Sequence, residues 1–150
     1  MNSWFLEELK TELNETFFAR DPYFKSNKNL HELVDVERGF EPGSERAREC
    51  REALGRIAAF CRDRGAPLLI AVSPDVSQSL DADYRYAGIH ERVLGWAREL
   101  DVKTIDLLAA VRGRDSEEIS VPNDGHPNAE AHRLFALALL PEVEALLKEK

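Results

Sequence analysis

Apolar residues recur at helical spacing in four stretches of the chain and in a continuous short run in one. Residues 3–19 carry Trp4, Leu6, Leu9, Leu13, Phe17 and Phe18 behind a capping Ser3, and Asp21-Pro22 stops that pattern. Residues 23–43 are mixed. Leu30, Leu33 and Val34 suggest a short helical piece, and Gly39 with Glu41-Pro42-Gly43 makes a turn. From Ser44, placed as a cap, a helix is expected over 44–64. Ala47, Cys50, Leu54, Ile57 and Cys61 form its buried stripe, and Gly65 closes it. Pro67 leads into residues 68–73, LLIAVS. This apolar run between turn signals predicts a parallel strand covered on both faces.

Ser73-Pro74-Asp75 ends the strand. A helix over 81–100 follows, capped by Asp81 or Asp83, with Tyr86, Ile89, Val93, Trp96, Ala97 and Leu100 turned inward. Residues 102–106, VKTID, predict a second strand, and Leu107, Leu108 and Val111 a brief helix after it. A polar loop spans 113–127. The last helix runs over 128–147, with a kink or restart expected at Pro141.

Helix, strand, helix, strand, helix is the order of a right-handed α/β layer unit with a parallel sheet. One domain is expected over 1–150, built as a helical N-terminal extension, 1–43, and an α/β part, 44–150. Two parallel strands make a poor sheet alone, and strand 68–73 would present a sticky edge. Three remedies stay open: strands from a partner chain, a strand hidden in 21–40, or membership of a larger domain.

Composition narrows the function classes. The net charge is -8, with 43% hydrophobic and 32% charged residues and no basic block. Clustered Lys and Arg, which phosphate binding needs, are missing, so neither nucleic acid nor an anionic membrane is expected as partner. No apolar run approaches the ~20 residues of a spanning helix. The acidic, amphipathic start is unlike a signal peptide, so a cytoplasmic protein is expected. Cys50 and Cys61 lie roughly 16 Å apart along one expected helix, too far to bond, and read as small core residues.

The densest chemistry is Val121–Phe135, VPNDGHPNAEAHRLF. Asp124 stands two residues before His126, in a loop after a strand, where reactive groups gather in open α/β sheets. A histidine held by a carboxylate is a general base of fixed tautomer. Gly125 permits a tight turn, and Pro127-Asn128 starts the helix. The same residues also make an ordinary loop-to-helix joint, with Asp124 capping a turn and His126 on the surface.

Other candidates are thinner. Asp124, His126 and His132 lack an HExxH or cysteine cluster beside them, so no metal is expected, and no cofactor either. His31 and His90 are isolated and expected at the surface. Trp96 reads as core. Asp106 either lines the cleft of the motif or caps helix 107–113. Ser73 reads as a strand terminator or, less well, a nucleophile; Ser77 and Ser79 follow it.

The block DGHPNAEAHRLFA closely resembles the last motif of the SGNH (GDSL-like) hydrolases. A helix leading into RGAPLLIAVSP, a Tyr-containing loop and helix, and ARELDVKTIDL resemble the later half of that fold, over about residues 44–147. The resemblance implies a three-layer, flavodoxin-like parallel sheet, incomplete here with strands 68–73 and 102–106. It implies an esterase or acyl-ester hydrolase, or the C-terminal portion of one, acting on a small-molecule or carbohydrate ester. Asp124 would orient His126, the base toward a serine that forms an acyl-enzyme. Many members space the pair as Asp-x-x-His, and here that offset holds Asn123. The family's Gly-Asp-Ser block and its Gly-x-Asn-Asp block do not occur; Asn27 and Asn29, in KSNKNL, lack the glycine. The alternative is a non-catalytic α/β subunit derived from that fold, using the edge of strand 68–73 for a homodimer or a partner chain.

Overall fold

The computed structural model describes residues 36–122 and 125–148. It divides into two units, Met1–Ser44 and Glu45–Lys150. The helix expected over 3–19 and His31 lie outside the described residues. In the first unit the described part is a one-turn helix, α1 (Val36–Gly39), followed by a turn. Ser44 Oγ donates to the Gly39 carbonyl at 2.6 Å and closes that turn.

The second unit is mixed α/β. α2 (Glu45–Asp63) leads to β1 (Leu69–Val72), α3 (Ala87–Glu99) and β2 (Lys103–Asp106). Two one-turn helices, α4 (Leu108–Val111) and α5 (Ser116–Ile119), precede the long α6 (Ala129–Lys148). β1 and β2 pair in parallel, Leu69 beside Lys103 through Val72 beside Asp106, with α3 as the crossover. A parallel pair needs such a crossover, because a tight turn cannot return the chain to the same end of the sheet.

Both helices that enter the strands end in the same way. The N–H groups of Gly65 and Ala66 bond the Arg62 and Cys61 carbonyls at 3.0 and 2.9 Å. Those of Asp101 and Val102 bond the Arg98 and Ala97 carbonyls, both at 3.0 Å. This closure needs a left-handed residue, which is Gly65 (φ 59°) in one case and Asp101 (φ 57°) in the other. Aspartate tolerates that region better than most residues but is strained there relative to glycine.

The helix expected over 81–100 begins only at Ala87. Tyr86 stands at its N-cap without a side-chain bond, so neither Asp81 nor Asp83 caps it. Its buried face is His90, Leu94 and Ala97, one step round from the expected stripe. Tyr86, Ile89, Val93, Trp96 and Leu100 are half-buried. In α2 the buried positions are Ala47, Ala53, Ala58 and Cys61, while Cys50, Leu54 and Ile57 are half-buried. α6 passes through Pro141 as one helix, with no restart.

The strands depart most from expectation. No residue of β1 or β2 is fully buried, and Ala71 is exposed. Among the described residues the sheet has two strands, so neither outer edge is paired. A core cluster among the described residues lies beyond the C-terminal ends of the strands. Val76, Leu80 and Tyr84 from the loop after β1 meet Leu107, Leu108 and Val111, Ile119 of α5, and Ala131 and Phe135 of α6. That cluster holds the loops that carry the candidate chemistry. Among the described residues no helix is long and apolar enough to cross a membrane.

Candidate active site

Three segments meet beyond the strand ends. The first is the loop leaving β1. Asp75 Oδ1 accepts both the Ser77 backbone N–H, at 3.0 Å, and the Ser77 hydroxyl, at 2.6 Å. A carboxylate two residues ahead of a serine thus shapes the turn and aims its hydroxyl. Ser73, by contrast, makes only a long 3.4 Å contact with the Pro74 carbonyl, and Ser79 Oγ lies 3.3 Å from Asp83.

The second segment is a chain of buried polar groups. His90 is 4% exposed, a correction to its expected place at the surface. Its Nδ1 lies 2.8 Å from Asp106 Oδ1, and its Nε2 lies 3.5 Å from the Tyr84 hydroxyl. The same Asp106 oxygen accepts the Leu108 N–H at 2.9 Å, so Asp106 also caps α4. The Tyr84 oxygen accepts the Asp75 N–H at 2.8 Å. A proton on Nδ1 of His90 satisfies every partner: Nδ1–H donates to Asp106, and Nε2 accepts from Tyr84. Burial pushes the Tyr84 phenol above its ordinary pKa. The chain ties β2, α3 and the loop after β1 together and ends on the residue that holds Ser77.

The third segment is the motif. Val121 N–H bonds the His126 carbonyl at 2.8 Å, Gly125 N–H bonds Val121 at 3.3 Å, and Ser120 bridges Pro127. These bonds pair residues 120–121 with 125–127 as the two arms of a small hairpin. Asn128 anchors its far side. Its Oδ1 accepts the Glu130 and Ala131 N–H groups at 2.9 and 3.1 Å and so caps α6. Its Nδ2 donates to the Glu118 and Ser120 carbonyls at 2.9 and 3.3 Å. Gly125 has φ 76°, and a Cβ there would stand 3.0 Å from Ser77 Cβ and 3.6 Å from Ser77 Oγ. The hairpin therefore sits directly against the serine of the first segment.

His126 is exposed on this hairpin. Asp124, the expected orienter, lies outside the described residues, as does Asn123. His132 is exposed on the first turn of α6, edge-on to Phe135 at 6.3 Å. Among the described residues no three His, Cys, Asp or Glu side chains are grouped to hold a metal ion.

Two features escaped the sequence reading. α5 sits inside the stretch taken as loop, capped by Asp115, whose Oδ1 accepts the Glu117 N–H at 2.9 Å. Its signal was present: an aspartate followed by Ser-Glu-Glu is a helix-start pattern. The Tyr84–His90–Asp106 chain had a fainter one, His90 standing four and seven residues before Leu94 and Ala97.

No family model matches the chain, and neither a curated protein nor a solved structure does.

Proposed function

We propose that the junction of the 120–127 hairpin with the Asp75–Ser77 turn is the acid–base part of a serine ester hydrolase site of SGNH-like type. The observation that carries this reading is the approach of Gly125 to Ser77, which puts the histidine hairpin against an oriented serine at the strand ends. In this reading Ser77 Oγ attacks the ester carbonyl carbon while His126 takes its proton. The tetrahedral intermediate collapses, the C–O bond to the alcohol breaks, and His126 returns the proton to the departing oxygen. Water, activated by the same imidazole, then cleaves the acyl-serine and frees the carboxylate. The role of orienting that imidazole is assigned in this reading to Asp124. The Ser77 hydroxyl must first rotate away from Asp75, since it cannot serve two acceptors with one proton.

The test is incubation with short-chain p-nitrophenyl esters and with a fluorophosphonate probe, read by mass spectrometry. The reading expects turnover and a label on Ser77, both lost in Ser77→Ala and His126→Ala. An unlabelled protein without turnover, or a His126→Ala variant as active as the parent, would refute it.

A second reading rests on a separate observation, the half-buried strands with Ala71 exposed. Here the two strands are part of a three-layer, flavodoxin-like sheet completed across the edge of β1 by a second copy or a partner chain. Light scattering behind a sizing column would then give a dimer mass, reduced to a monomer by a charged Ala71→Lys. A monomeric parent would remove the homodimer.

A further inference from the structure

The opposite ends of the strands carry a second feature. A half-open groove of about 580 Å³ lies where α2 ends, β1 and β2 begin, and the C-terminal part of α6 passes. That volume lies within the usual span of small-molecule sites, roughly 300–1,000 Å³. Four-residue strands separate it from the His126 hairpin by roughly 13 Å of backbone. Its lining is mixed: Leu68, Leu100, Val102 and Leu146, all half-buried, supply the apolar part. Three cations, Arg62, Arg98 and Lys103, stand against one carboxylate, Asp101. In a chain of net charge -8 this is a local reversal of sign.

Arg62 and Arg98 make no ion pair among the described residues. Glu99, the acid nearest Arg98 in sequence, is taken by Arg51 at 2.7 Å. Basic residues in a last helical turn also complement the carbonyl end of the helix. That accounts for arginines at these positions, but not for the leucine-lined space between them.

We infer that this groove binds a small amphiphilic anion, an oxyanion head on a short apolar chain. The guanidinium forks of Arg62 and Arg98 present paired donors that match a carboxylate or phosphate. The chain would cover Leu68, Leu100, Val102 and Leu146 and remove their remaining exposed area from water. Neither part alone suits the groove. A bare anion leaves the apolar walls wet, and a neutral hydrocarbon leaves the arginines unanswered. The inference is independent of the hydrolase reading, since it uses none of its residues.

The test is calorimetric titration of the full chain with sodium octanoate, octyl phosphate and inorganic phosphate, with the site mapped by amide shifts in a ¹H–¹⁵N spectrum. Both alkyl anions are expected to bind and to shift the amides of residues 98–103. The tighter of the two identifies the head group. Arg98→Glu, an exposed position, is expected to weaken binding by about ten-fold or more. Arg62→Glu repeats the test should that variant misfold, and Ala66→Phe, which fills the groove, should abolish binding. Three results would overturn the inference: no binding of either alkyl anion, inorganic phosphate binding as tightly as octanoate, or affinity unchanged in the charge-reversed variants.

Discussion

Replacing Asp106 by alanine tests whether the buried chain from Asp106 to Tyr84 is a coupled unit. The His90 side chain is 5% exposed and that of Asp106 35%. Removing the carboxylate leaves the Nδ1–H of a buried imidazole without an acceptor, and a buried donor left unsatisfied costs about 1–3 kcal/mol. The Leu108 N–H loses the same acceptor at the start of α4, which adds about 1 kcal/mol. The sum is a loss of about 2–4 kcal/mol. His90→Leu removes that donor together with its need, and gives up only the long 3.5 Å acceptor that Nε2 offers the Tyr84 hydroxyl. The Asp106 carboxylate, a third exposed, then turns to water and keeps Leu108, so the expected loss is about 1 kcal/mol. If the two residues act together, the double variant Asp106→Ala/His90→Leu recovers about 1.5 kcal/mol or more relative to the sum of the single losses. Urea unfolding followed by circular dichroism reads all three. With a slope of about 1.5 kcal/mol per molar urea, the Asp106→Ala midpoint falls by roughly 1.3–2.7 M. An Asp106→Ala loss under about 0.5 kcal/mol, or single losses that simply add, would refute the coupled chain.

Three other perturbations bear on the site and its supports. Gly125→Ala forces a side chain into a left-handed residue and against Ser77, so stability should fall by about 1–2 kcal/mol and the His126 ring resonances should move. Asn128→Ala loses the α6 cap and both bonds to the Glu118 and Ser120 carbonyls, costing about 2 kcal/mol in urea unfolding; Asn128→Asp keeps the cap and should cost about half as much. Burial raises the thiol pKa of Cys50 and Cys61 and the phenol pKa of Tyr84. The unfolded chain therefore loses these protons first as pH rises. Stability is fully present below the ordinary thiol value, about pH 8.5, and the urea midpoint should decline above it. A midpoint unchanged up to about pH 10 would contradict that burial.

The sequence by itself determined the order of the three long helices and the two strands over 44–148, because that information is local; the short α5 and the start of α3 at Ala87 were not read from it. The three-and-four spacing of Ala47 to Cys61, the apolar run before Ser73-Pro74, and the cap at Asn128 each act within a few residues. It also located Gly125 and His126 in a tight loop before the last helix. It misjudged burial wherever burial depends on a partner distant in the chain. His90 is polar, so the pattern put it outside; Asp106 and Tyr84, sixteen and six residues away, satisfy it and allow it inside. Residues 68–73 are apolar throughout, so the pattern put them under cover on both faces; among the described residues only β2 pairs with β1, and Ala71 is exposed. Tertiary structure alone brought Ser77 to Gly125, since neither residue carries a mark of the other along forty-eight positions of chain. A hydrogen-bonding residue is placed by what it can pair with, and pairing across such distances is decided only when the elements between them pack.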